Sequence, residues 1–122
     1  MTTNTDAKTD GTAATDARVI VTGPDEHGLG DALETRGATV TRIPGIVNGD
    51  ALEDAGIEAA SILVLTDLAE ASAIPVAKER NPAVQAVSYS HQSLPEYAKA
   101  QADLAVDPDL LSPDVVAEEL LA

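Results

Sequence analysis

The sequence predicts one α/β domain: a doubly wound, mostly parallel, five-stranded sheet with helices on both faces. Three observations carry this. Short runs rich in Val, Ile and Leu alternate five times with segments whose apolar residues recur at helical spacing. Gly, Pro or Asn-Pro marks most of the junctions between them. A chain of 122 residues without an internal repeat is one domain's length, enough to bury roughly two-thirds of the surface that the unfolded chain exposes.

Residues 1–16 are almost entirely Thr, Asp, Ala, Asn, Gly and Lys. They offer no apolar face to offset the entropy of ordering, so a disordered acidic tail is expected, with the domain spanning residues 17–122. Arg18-Val19-Ile20-Val21 is a β-branched run that stops at Thr22-Gly23-Pro24, as a buried strand stops at a turn. Gly28 to Arg36 places Leu29, Ala32 and Leu33 at helical spacing, and Gly37 follows as the residue that closes a helix. Ala38 to Ile43 alternates as a second strand and ends at Pro44-Gly45; Asp50 to Ala55 is a short helix closed by Gly56. Ser61-Ile62-Leu63-Val64-Leu65 is continuously apolar, the mark of a strand covered on both faces, and belongs at the sheet centre.

The third helix is expected from Leu68 to about Arg80. Pro75 lacks a backbone donor and so predicts a kink or a late start, and Asn81-Pro82 ends the helix. Ala83 to Ser90 reads as a fourth strand, Leu94 to Gln101 as a helix and Leu104-Ala105-Val106 as a fifth strand. Pro113 to Leu121 is the last helix, with Ser112 as its N-cap. A sheet wound this way opens its ligand crevice beyond the C-terminal ends of its strands.

Composition narrows the function classes. Twenty-one Asp and Glu against seven Lys and Arg give a formal charge of −14, which repels both nucleic-acid phosphates and anionic membrane surfaces. The same excess, with three Lys in the chain, suits a halophilic cytoplasm in which counterions screen self-repulsion. Without Cys there is no disulfide, thiolate metal site or Cys nucleophile. No apolar run approaches the roughly 20 residues of a membrane span. Two Tyr, with neither Phe nor Trp, leave the core to Val, Leu, Ile and Ala.

Gly49-Asp50, Leu52 to Ala60 and Ile62-Leu63-Val64-Leu65-Thr66-Asp67 together resemble the N-terminal NAD-binding domain of TrkA-type potassium-uptake regulators, a Rossmann-like domain. Ala77 to Pro82 and Ala102-Asp103-Leu104-Ala105-Val106-Asp107-Pro108 extend the resemblance downstream. It implies a cytoplasmic, non-catalytic domain that binds NAD or another adenine nucleotide and passes its state to a separate protein partner or within a homodimer. The alternative on the same fold is a structural or protein-interaction module that holds no ligand.

The resemblance places the ligand contacts at Gly23, Asp25, Gly28, Asp50, Thr66 and Asp67. Gly23 and Gly28 fall on the first and third glycines of a GxGxxG turn, but Asp25 stands at the second, where backbone must approach a pyrophosphate. Asp25 and Glu26 would therefore point negative charge at the seat of a phosphate. Pro44 follows Ile43 where an acidic ribose-binding residue is expected. Arg42 nearby reads as a solvated strand-end charge more readily than as a contact to a 2′-phosphate. Asp50 and Asp67 are open to two readings, ligand contact or helix N-cap.

Other constellations carry less. His27 beside Asp25 and Glu26 has the right residue types for a metal, but sequence neighbours rarely converge on one ion and no second His is expected near it, so no metal site is predicted. Ser88, Ser90, His91 and Ser93 lack a G-x-S-x-G elbow, and neither Tyr89 nor Tyr97 is followed by a Lys four residues on, so neither hydrolysis nor dehydrogenation is expected.

Overall fold

The structure is a computed structural model that describes residues 17–122, and the expected tail lies outside the described residues. Five strands, β1 (Arg18–Thr22), β2 (Thr39–Ile43), β3 (Ile62–Leu65), β4 (Gln85–Tyr89) and β5 (Leu104–Val106), form one sheet whose pairings are all parallel. Helices α1 (Leu29–Thr35), α2 (Gly49–Asp54), α3 (Ala73–Arg80), α4 (Glu96–Lys99) and α5 (Pro113–Leu120) follow them in alternation. The doubly wound α/β fold read from the sequence is the fold observed.

The strand order is β2-β1-β3-β4-β5. A dinucleotide-binding sheet instead continues outward from its first strand through the second to the third before crossing back. Here the chain returns over β1 one crossover earlier, so β1 and β3 are neighbours, with Val19 opposite Ile62 and Thr22 opposite Leu65. The topology therefore departs from the TrkA-type NAD-binding plan that the sequence resembles. It also places the switch point, where successive connections leave on opposite faces, between the ends of β1 and β3.

Side chains along a strand alternate between the two faces of the sheet, and each face acquires its own core. Val19, Val21, Ile62, Val64 and Val87 pack with Leu29 and Leu33 of α1 and Val116 and Ala117 of α5. Ile20, Leu63, Leu65 and Ala86 face the other way, onto Leu52 of α2, Ile74 and Ala77 of α3 and Ala98 of α4. The near-absence of aromatic rings is met by many small aliphatic contacts. Tyr89, the largest fully buried side chain, donates its hydroxyl to the Leu111 carbonyl at 2.7 Å. Burial raises its pKa, and the charge of Asp25 adds to the rise.

Local signals set the helix ends. Asn48, not Asp50, caps α2, its side chain accepting from the Ala51 N–H at 2.9 Å. Ser112 caps α5 through the Val115 N–H, with Pro113 at the first turn as expected. A 3₁₀ turn at Leu68–Glu70 precedes α3, which starts late at Ala73. Pro75 thereby falls in the first turn, where its missing N–H has no intrahelical partner to lose. Asn81 ends α3 and ties it to the segment before β3, donating to the carbonyls of Ile57 and Ala60 at 2.9 Å each. Among the described residues no helix is long and apolar enough to cross a membrane.

Candidate functional site

The loops that leave β1, β3 and β4 enclose a cavity of about 300 Å³ at the C-terminal end of the sheet, where this winding places a ligand crevice. The first loop supplies Asp25, Glu26 and His27, the second Thr66 and Asp67, and the third Ser90, His91 and Gln92. Among the described residues no Lys or Arg lines it. Its carboxylates oppose any phosphate-bearing ligand, and no serine hydroxyl among the described residues hydrogen-bonds a histidine to make a nucleophile.

Gly23 is bound to its place by geometry. Its φ of 83° suits glycine, and a Cβ there would sit 2.4 Å from Thr66 Oγ1. Thr66 in turn donates to the Thr22 carbonyl at 2.6 Å, stitching the ends of β1 and β3 together. Asp67 accepts from the Ala69 N–H at 3.0 Å and caps the 3₁₀ turn, as its N-cap reading anticipates. Gln92 reaches across from the β4 loop to accept from the Leu68 N–H at 2.8 Å.

Asp25 lies at the N-terminus of α1. Its carboxylate accepts from the Leu29 N–H and the Gly30 N–H of α1, both at 3.0 Å, and from Arg42 Nη1 at 2.9 Å. The helix N-terminus is thus satisfied by the chain's own anion, with its positive dipole end already matched. Gly30 makes room for this, because a Cβ at that position would lie 2.7 Å from Arg42 Nη2 and 2.9 Å from Asp25 Oδ2. Arg42 is more than the solvated strand-end charge expected of it: it also pairs with Asp31 at 3.0 Å and Glu34 at 3.9 Å. Its hydrogen bond to Asp25 raises the guanidinium pKa, against an opposing effect of burial.

Of the six residues proposed from the sequence, Thr66, Asp67 and Asp25 line the cavity, and Gly23 packs against Thr66. Gly28 is the residue before α1, with φ of 77°. Asp50 does not join them; it is exposed in the first turn of α2. The roles of Gly30, Gln92 and His91 were not legible beforehand, because each acts through a residue distant in sequence.

A second cluster adjoins the cavity. His91, just after β4, has its Nδ1 3.1 Å from Asp107 Oδ1 and 3.4 Å from Asp109 Oδ2, both just after β5. The pairing of Tyr89 with Val106 brings these two loops together. His27 stands edge-on to His91 with ring centroids 5.4 Å apart, so a second histidine does lie beside the first, contrary to the sequence expectation.

Comparison with solved structures finds the same winding of the sheet in three chains. HP1043, an orphan response regulator of H. pylori, superposes with a TM-score of 0.67 at 18% identity, over 87% of this chain and 97% of that one. A protein described as pilus assembly protein cpaE from Burkholderia thailandensis gives 0.62 at 20% identity, over 85% and 94%. A pilus assembly-related protein from Burkholderia pseudomallei gives 0.63 at 19%, over 85% and 86%. At these identities the likeness is one of fold.

These neighbours and the strand order overturn the TrkA-type NAD-binding resemblance. Of the residues that suggested it, Ile62 to Leu65 and Leu104 to Val106 are strands of the parallel sheet, and Leu52 and Ala77 belong to the helices packed on it. Such a pattern reports an alternating α/β chain and is shared by different strand orders. No curated protein matches the sequence. Over residues 19–120 the chain matches a model of its own, and it belongs to DUF7126, a family of unknown function.

Proposed function

We propose that the chain is a non-catalytic regulatory module that works by docking a partner protein on the sheet edge built by α4, β5 and α5. The observation that carries this is the surface there. Tyr97, Leu104, Leu110 and Val115 are all exposed, Leu110 to 78% and Tyr97 to 60%, and each directly follows a carboxylate: Glu96, Asp103, Asp109 and Asp114. β5 is a strand of three residues at the sheet edge, and among the described residues no strand pairs with its outer side. Exposed tyrosine and aliphatic side chains supply the apolar area that an interface centre buries.

The interspersed carboxylates choose the occupant. A second copy would set like charges against like on a chain of charge −14, whereas a partner with an apolar centre and Lys or Arg at matching intervals meets both features. The crevice supports the same reading from the other side. Its helix N-terminus is filled by Asp25, and among the described residues no serine hydroxyl there hydrogen-bonds a histidine. The fold likeness to a response regulator supports a regulatory role.

The test is a photo-reactive residue placed at Leu110 of the whole chain, in the cells that make it, with Ile46 as control. Ile46 is 77% exposed but lies between β2 and α2. Covalent adducts at Leu110 to one protein with a basic surface, absent at Ile46 and lost with Tyr97→Asp, are expected. Adducts to a second copy of the chain, or equal adducts from both positions, overturn the reading.

A further inference from the structure

We propose that His91, Asp107 and Asp109, with His27 as a fourth ligand, form a binding site for a divalent transition-metal ion of the zinc class. The site shares Asp109 with the docking edge but rests on a different observation. The ligand atoms of His91, Asp107 and Asp109 all lie within 4.8 Å of one another. An ion held tetrahedrally at about 2.0–2.1 Å by nitrogen and oxygen has ligand atoms roughly 3.3 Å apart. The separations of His91 Nδ1 from the two carboxylate oxygens, 3.1 and 3.4 Å, are of that size. The three groups can therefore close on an ion by small side-chain adjustments, the metal replacing the proton on Nδ1.

The cluster is more than two carboxylates on an acidic surface. His27 arrives from a different loop, after β1, and its ring stands 5.4 Å from that of His91. Besides that contact it touches the edge of Tyr89, and none of its ring nitrogens is engaged in a hydrogen bond among the described residues. It is exposed and lies outside the group whose ligand atoms already sit within 4.8 Å of one another, so its ring must turn to join them. Two imidazoles among four ligands select zinc, cobalt, nickel or copper over calcium and magnesium, which favour all-oxygen sets. The neighbouring Glu26 and Asp67 and the overall charge draw cations toward this end of the sheet.

The loop holding two of the ligands is preformed. Asp107 Oδ1 accepts from the Asp109 N–H at 2.8 Å, and the Asp107 carbonyl accepts from the Leu110 N–H at 2.9 Å, which fixes the spacing of the two carboxylates. An ion bound here would join the loops after β1, β4 and β5.

The experiment titrates the whole, chelator-stripped chain with Zn²⁺ by calorimetry in molar KCl at pH 7.5, and with Co²⁺ by visible absorption. One Zn²⁺ per chain is expected, with an intense Co²⁺ band of the kind a four-coordinate site gives. His91→Ala and Asp109→Asn should each weaken binding at least tenfold and abolish the band. His27→Ala should weaken binding by a smaller factor, and Asp31→Asn, a carboxylate on α1, should change nothing. Unchanged melting temperatures in the presence of chelator keep the variants interpretable as ligand losses. Zn²⁺ binding that is absent, or that is the same in wild type and His91→Ala, overturns the proposal, as does Mg²⁺ binding with equal affinity. Unchanged binding in His27→Ala removes the fourth ligand and with it the proposed coordination.

Discussion

Replacing Asp25 with Ala removes the anion that the fold carries at the start of α1. The carboxylate accepts two backbone N–H groups, from Leu29 and Gly30, and both residues are buried. A hydrogen bond to a charged acceptor contributes about 1.5–3 kcal/mol net, and loss of a helix-capping side chain costs about 0.5–2 kcal/mol. The two descriptions cover the same contacts and are not summed. The pair with Arg42 adds less, because the guanidinium is 41% exposed and solvent screens it to about 1 kcal/mol at most. A loss of about 2–3 kcal/mol is therefore expected for Asp25→Ala. Asp25→Asn keeps one acceptor oxygen and should lose about half as much. Urea denaturation at fixed KCl measures both, and a cycle with Arg42→Ala isolates the ion pair, with an expected coupling of about 0.5–1 kcal/mol. An Asp25→Ala loss under about 0.5 kcal/mol would refute the account of a self-filled helix terminus. So would equal losses for the Ala and Asn variants.

Two further outcomes follow from the charge distribution. Burial alone would raise the Asp103 carboxyl, but hydrogen bonds from Lys78 and the Ala86 N–H, with the Lys78 charge, hold its pKa below the ordinary 3.8. Folding thus favours its ionised form, so its contribution is complete above that value and is lost as pH falls below it toward the folded value. Thermal melts from pH 5 to pH 2 should fall more steeply for wild type than for Asp103→Asn, and parallel curves would contradict this. A chain of charge −14 gains stability as counterions screen its self-repulsion. Melting temperature should therefore rise from dilute buffer to molar KCl beyond the rise given by a neutral osmolyte; no difference between the two would contradict it.

The fold was largely legible because its signals are local. The apolar run Ile62–Leu65 marks a strand buried on both faces, Ser112-Pro113 marks a helix start, and Pro75 marks the late start of α3. Strand order was not legible, since it depends on which side of β1 the chain crosses to, and the same residues serve either crossing. That gap let a parallel-strand pattern pass for a nucleotide-binding one.

The site divides along the same line. Asp25 stands out in the sequence as a carboxylate at the second place of a glycine turn, yet its partners Arg42 and Gly30 come from packing. Asp50 was read as a cap or contact because of its place after Gly49, whereas Asn48 two residues earlier has the extended backbone that a cap requires. His91 with Asp107 and Asp109 could be found only once β4 and β5 were known to be neighbours.

The central claim, that the α4–β5–α5 edge is where this module meets its partner, is tested most directly by affinity. With the cross-linked partner purified, its dissociation constant for the chain is measured in the salt of the host cell for wild type, Leu110→Asp and Ile46→Asp. Burial of an apolar anchor at an interface centre contributes about 2 kcal/mol, or about 30-fold in affinity. Leu110→Asp should therefore weaken binding about that much while Ile46→Asp stays within twofold of wild type. Equal affinities for all three proteins would contradict the claim.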